Sequence, residues 1–153
     1  MSESAVRGTG PNPGEMMQTL QKAGYRTTAA RRAVVDAVAG RTRPFSSSEI
    51  LEDVLAGDRS VGRATVFRTL DVLHGLGMLG RIDFPDGGHA YVACMQGHHH
   101  HVICSMCGLV VDLPGCHVSV GAEEEARAAG FTLTGHRLEY FGLCQACQNK
   151  ENH

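Results

Sequence analysis

Nowhere in its 153 residues does this chain hold an apolar run of the roughly 20 residues that a membrane-spanning helix needs. The opening stretch, MSESAVRGTGPNPGE, is polar and rich in Gly and Pro and contains no apolar signal core. A membrane partner is therefore not expected, and a cytoplasmic location is. In that reducing compartment cysteines serve more often as ligands than as disulfides. Charge of one sign is also scarce: the net charge is −2, with 20% charged and 42% hydrophobic residues, as in ordinary globular domains. There is no H-E-x-x-H, and no carboxylate stands where a general base is expected. A small zinc hydrolase, the enzyme class that histidine clusters would otherwise suggest, is thereby disfavoured.

What the chain does hold is metal-ligand chemistry. Cys104 and Cys107 form one C-x-x-C pair, and Cys144 and Cys147 form another. Each pair can take two corners of a tetrahedral zinc site. Four cysteines leave no corner open to substrate, so such a site is structural and contributes folding energy directly. Just before the first pair stands a run of four histidines, His98 to His101. On an extended strand, alternate side chains point to opposite faces. His99 and His101 then share one face and His98 and His100 the other, so one tetrad can serve two sites. Cys94 precedes His99 by five residues and His136 falls on a later strand, which favours ligation over a solvated polar loop.

The small net charge hides an asymmetry. Residues 1–81 carry 11 Lys/Arg against 8 Asp/Glu, a balance of +3, and residues 82–153 carry 3 against 8, a balance of −5. A basic first part and an acidic, His/Cys-rich second part suit different partners. The basic excess alone fits a solvated surface as well as it fits nucleic acid.

Residues 1–14 read as a flexible tail. A short helix is predicted from Glu15 to Ala23, ended by Gly24, and a second from a cap at Thr27 or Thr28 to Ala39. A third starts at Ser47 and buries Ile50, Leu51, Val54 and Leu55. The fourth, Arg63 to Gly75, turns Val66, Leu70 and Leu73 inward and Arg63, Thr65, Phe67 and Arg68 largely outward. Such a face suits a DNA major groove, although the same pattern fits a solvated helix with an edge-packed ring. Two alternating runs then flank Pro85-Asp86-Gly87-Gly88, a hairpin signal. Helices followed by such a hairpin make a winged helix-turn-helix over residues 15–93.

Residues 94–153 read as a second, smaller α/β domain, so the fold class is α+β. Strands are predicted at Val102–Cys104 and Leu109–Leu113, with a turn at Met106–Gly108. A helix should follow from Val118 to Ala129, and one or two strands from Thr132 to Leu143.

The segments K-A-G-Y-R-T-T-A-A-R-R, G-R-A-T-V-F-R-T-L, H-H-H-H-V-I-C-S-M-C-G, G-F-T-L-T-G-H-R-L-E and G-L-C-Q-A-C, in this order, resemble the ferric uptake regulator family from about residue 16 to 148. The resemblance implies a dimeric, metal-responsive repressor that binds a palindromic operator, with its α/β domain serving dimerisation. It assigns Cys104, Cys107, Cys144 and Cys147 to structural zinc. Arg31, Phe67 and Arg68 fall on DNA-contacting positions, with Phe67 where the family usually has Tyr. His99 and His101 match a regulatory hinge site, and His98, His100 and His136 a further site.

Departures bear on the metal. Phe45 and Val92 stand where iron-type members supply His and Glu, whereas Cys94 matches the cysteine ligand of zinc-sensing members. Gly80 stands where those members add Asp or His, so the resemblance leaves the fourth hinge ligand unassigned; Asp112 matches a position that is acidic and ligating in some members and ranks above His89. Ser119 replaces the carboxylate of the further site, where either His117 substitutes or Cys116 and His117 form a helix-capping pair with no metal. A soft thiolate with imidazoles favours zinc over Fe2+ or Mn2+ at the regulatory site. The expectation is a zinc uptake regulator, with an iron, manganese or peroxide sensor as the alternative.

Overall fold

The computed structural model describes residues 10–94, 99–115 and 121–151. Its first part packs four helices: α1 (Pro13–Lys22), α2 (Ala29–Ala39), α3 (Ser47–Gly57) and α4 (Arg63–Gly75). α1 begins two residues before the expected Glu15, so the chain is ordered into a cap within the predicted tail. Asn12 accepts from Glu15 N at 2.9 Å, and Glu15 accepts from Asn12 N at 3.0 Å, with Pro13 pre-set in the first turn. Thr28 caps α2, accepting from Arg31 N at 3.1 Å. α3 starts at Ser47 as expected and is capped by Ser46, again closing a box with Glu49.

One core gathers the inner faces of these helices. Met16, Leu20, Val34, Val38, Ile50 and Leu73 are fully buried there. Each such side chain contributes roughly 1.5–3 kcal/mol, and truncating Leu73 to Ala should cost about 2–5 kcal/mol. On α3, Ile50 and Val54 are buried while Leu51 and Leu55 are only half-buried.

Strands β1 (Leu79–Asp83) and β2 (His89–Ala93) form the predicted antiparallel hairpin, in register from Leu79 opposite Ala93 to Asp83 opposite His89. Its tip is closed by Phe84 N donating to Gly88 O at 2.8 Å and by Gly88 N donating to Asp86 Oδ1 at 2.9 Å. Phe45 bridges to Tyr91 through two backbone bonds of 2.9 and 2.8 Å, which seats the hairpin on the helices. Helices and hairpin together make a winged helix.

The second sheet has the order β4-β3-β5, from β3 (His99–Cys104), β4 (Val110–Pro114) and β5 (Glu139–Gly142). β4 runs antiparallel to β3 and β5 parallel to it. α5 (Gly121–Ala128) precedes β5, and the start expected for it at Val118 lies outside the described residues. The predicted strand from Thr132 to Leu143 is corrected to the four residues that have β3 as a neighbour. Alternation tells which side chains share a face, but a strand forms only where another supplies its hydrogen bonds. Residues 131–138 lack such a neighbour among the described residues, and Phe131 and Leu133 are exposed. α6 (Gln145–Glu151) closes the chain and was not predicted.

The hairpin lies against this sheet. Ile82, Val92 and Cys94 meet Ile103 in a second buried cluster, with Phe84 and Val110 packed against it. Around it, Arg137 Nη1 donates to Asp83 Oδ2 at 3.4 Å and Asp83 N to Glu139 Oε2 at 3.3 Å. Arg43, before α3, donates to the Cys107 carbonyl. These contacts hold the end of β2 beside β3.

Candidate metal centre

The first cluster forms where β3, β5 and α6 converge. Cys104 ends β3, and Gly108, at φ +73°, turns the chain so that its N–H donates to Cys104 O at 2.9 Å. Parallel pairing sets Cys104 beside Gly142, two residues before Cys144, and Cys147 follows on α6. All four sulfurs lie within 4.8 Å of one another. The Cys107 and Cys144 sulfurs are 3.8 Å apart, about the edge of a tetrahedron built on Zn–S bonds of about 2.3 Å. The N–H groups of Cys144 and Cys107 pull the Cys104 thiol down to about 6. Burial, then its sulfur neighbours, push Cys147 up to about 12. Four sulfurs so crowded cannot all ionise unless a cation compensates them, so the donor set fits structural zinc.

The second cluster sits between hairpin and sheet. Cys94, just past β2, is 2% exposed, and its sulfur, a His99 nitrogen and a His101 nitrogen lie within 4.8 Å of one another. Cys94 Sγ is 3.4 Å from His101 Nε2, and the rings of His99 and His101 are perpendicular with centroids 4.9 Å apart. Asp112 stands opposite His101 in the β3–β4 register, its Oδ1 3.5 Å from Nε2. Burial first, then the Asp112 charge, raise the Cys94 thiol to about 12, while the Gly80 backbone works the other way. Burial likewise holds the His101 imidazole below its ordinary value, against the opposing pull of Asp112. Thiolate and two imidazoles are three donors within reach of one divalent cation, and the Asp112 carboxylate stands beside His101 without joining the other donors within that distance.

Of the two candidates for the fourth ligand, only Asp112 is brought here. His89 begins β2 opposite Asp83, packed edge-on to Tyr91. Four strand residues, and so five residue steps, separate it from Cys94, roughly 16 Å of extended chain.

His100 points away from the second cluster, its ring 5.2 Å from that of His136, as strand alternation requires. The remaining members predicted for that site, His98 and His117, lie outside the described residues, as does Ser119. A cavity of about 190 Å³ joins the two histidine groups, bordered by His74, Gly80, Cys94, His136 and Glu139.

On α4, Val66, Thr69, Leu70 and Leu73 are buried. Arg63 and Arg68 are exposed, whereas Thr65 and Phe67 are half-buried. The Arg63 guanidinium lies 5.1 Å over the Phe67 ring, a cation–π contact that keeps the charge at the helix start. Arg31 folds over Tyr25 at 5.5 Å and donates to Arg26 O, and its Nε is buried with no partner among the described residues.

Sequence reasoning missed the Arg43–Cys107 contact, the Asp83–Arg137–Glu139 group and the close approach of Cys94 Sγ to Gly80. For Gly80 a signal existed: a glycine inside a strand pattern marks a close approach. The other two join residues more than fifty positions apart, and no spacing encodes them.

Residues 22–141 match the model of the ferric uptake regulator family. The ferric uptake regulation protein of Legionella pneumophila is 32% identical over 136 residues, covering 88% of this chain and 99% of that protein. The zinc uptake regulation protein of Mycobacterium tuberculosis is 28% identical over 130 residues, covering 85% and 100%. A solved structure described as holo XcZur superposes with a TM-score of 0.71 at 28% identity, covering 90% of this chain and 99% of that one. Relatives named for iron and for zinc resemble the chain about equally, so overall similarity does not choose the metal.

Proposed function

Because the chain belongs to the ferric uptake regulator family, whose members are metal-responsive transcriptional regulators and not enzymes, we propose that it is a zinc-responsive repressor of metal-uptake genes. The observation that carries the zinc reading is the Cys94 sulfur within 4.8 Å of the His99 and His101 donors. A soft thiolate beside imidazoles suits zinc better than Fe2+ or Mn2+. A divalent cation there supplies the positive charge that compensates thiolate and carboxylate.

The boundary is drawn between residues 93 and 94. Cys94 stands where the wing ends, and His99, His101 and Asp112 belong to the second sheet. Ligation by all four ties the winged helix to the sheet at one angle. In a dimer, that angle sets the separation of two α4 helices, which must match half-sites a helical turn or a multiple of it apart. Arg63, Thr65, Phe67 and Arg68 then read the groove, and Arg31 is a further DNA-contacting residue. A second copy of the chain is the proposed cover for Phe131 and Leu133, which are 69% and 49% exposed. Free thiols at both clusters fit a reducing cytoplasm. No described helix is long and apolar enough to cross a membrane.

One observation favours the iron or manganese alternative: with Asp112, three of the four hinge donors are nitrogen or oxygen. The Cys94→Ser protein decides. It should keep the structural zinc and the dimer but lose zinc-dependent operator binding. If it still binds operator tightly only when metal is added, the switch lies elsewhere, first of all at His98, His100 and His136.

A further inference from the structure

We infer that His74 is a positioning residue that couples the hinge site to the reading helix: from the last turn of α4 it grips both strands of the wing, so that α4 keeps one angle to the strand end that carries Cys94. The inference rests on the reading of Cys94 as a metal ligand and of α4 as the helix that enters the groove. Three residues, Leu76 to Met78, join α4 to β1. Gly77, at φ +75°, ends the helix in a Schellman turn: Gly77 N donates to His74 O at 3.0 Å and Met78 N to Leu73 O at 2.9 Å. On its other side Met78 meets the hinge, its carbonyl accepting from Cys94 N at 3.0 Å. One residue thus separates the reading helix from a metal ligand.

A single pivot transmits position but not angle, and His74 supplies the second point. Its Nδ1 lies 2.9 Å from Leu79 O, and because a carbonyl only accepts, Nδ1 carries the proton. Its ring packs edge-on to Tyr91, with 5.9 Å between centroids. Leu79 opens β1 and Tyr91 lies in the middle of β2, so one side chain of α4 touches both strands of the wing. The ring borders the cavity shared with Cys94, His99 and His101, yet its nitrogens are not among the donors gathered within 4.8 Å. His74 therefore acts through the wing and not on the metal. The angle matters because α4 is 13 residues long, about 18 Å from Gly75 to Arg63. A tilt of about 10° at the His74 end moves Arg63 by about 3 Å, close to the step of roughly 3.4 Å between base pairs.

The test uses the full-length protein with its structural zinc loaded, and reads operator affinity with the hinge empty and with it saturated by buffered zinc. The ratio of the two affinities measures the coupling. His74→Asn places an amide N–H where Nδ1 stands and should keep most of the ratio. His74→Gln places it where Nε2 stands and should lose about tenfold of the ratio, with hinge affinity for zinc in the absence of operator unchanged in both. By reciprocity, operator should tighten zinc binding in His74→Gln less by the same factor. A merely structural role would weaken operator binding equally in both metal states and leave the ratio intact. An unchanged ratio in His74→Gln, or an equal loss in His74→Asn, overturns the inference. Weaker zinc binding without operator in both variants makes His74 a ligand and overturns it too. Should His74→Gln lose the structural zinc, His74→Phe keeps a ring against Tyr91 and removes the donor; it should fold with the lowered ratio, and a full ratio there overturns the inference. A zinc effect that is absent in the unaltered protein, or that survives in Cys94→Ser, overturns the hinge reading itself and this inference with it.

Discussion

Zinc affinity at the hinge should rise about tenfold for each pH unit between about pH 7 and 8.5. The Cys94 thiol is pushed up to about 12, chiefly by burial, so it carries its proton throughout that window in the metal-free protein. Ligation requires the thiolate, and one proton must leave for each zinc bound. At pH 7.5 the thiol lies about 4.5 units above ambient, so ionising it costs about 6 kcal/mol, offset by the metal–sulfur bond. The sign follows: raising pH lowers this cost and strengthens binding, with a slope of about one in log K. His101 adds nothing to the slope, because burial holds its imidazole below the ordinary value and it is already neutral. The assay is competition against a zinc chelator across the window, on protein with the structural site loaded. Calorimetry in two buffers of different ionisation enthalpy counts the released proton. In Cys94→Ser the slope should disappear. A flat profile in the unaltered protein, or equal slopes in both proteins, refutes the reasoning.

Three further outcomes are expected. Cys104→Ser should lose one tightly held zinc and weaken the dimer, since a neutral hydroxyl is a poor ligand; full zinc content by elemental analysis with an intact dimer contradicts the structural assignment. Asp112→Asn should reduce hinge affinity for zinc about tenfold or more, even though removing that charge makes the Cys94 thiol easier to ionise; unchanged or higher affinity makes Asp112 a neighbour rather than a ligand. Arg68→Ala should weaken operator binding by roughly 1–3 kcal/mol if the side chain contacts a base, or lower the salt slope by about one if it contacts phosphate, with metal content unchanged.

The parts legible in the sequence were those whose cause is local. The C-x-x-C pairs, the Pro85-Asp86-Gly87-Gly88 turn and the inward stripe of α4 each follow from neighbours within one turn or one strand. The histidine tetrad was legible for the same reason: strand alternation alone separates His99 and His101 from His100. What stayed hidden depends on register and on distant partners. The resemblance ranked Asp112 above His89, but only the register places that carboxylate opposite His101, and a slip of one residue would turn Asp112 to the other face. The strand predicted at residues 132–138 failed because the single chain offers it no neighbour among the described residues. Helix α6 was overlooked because C-x-x-C reads as a turn, although Cys147 enters the cluster from a helix.

The central claim is that zinc, held through Cys94, switches operator binding, and the most direct test is operator affinity titrated with separately buffered zinc, ferrous iron and manganese. The account predicts tight, sequence-specific binding in zinc at free concentrations where iron and manganese leave the dimer weakly bound, with the zinc effect absent in Cys94→Ser. By reciprocity, operator must tighten zinc binding by the same factor. Equal or stronger operator binding in iron or manganese, retained in Cys94→Ser, would contradict it.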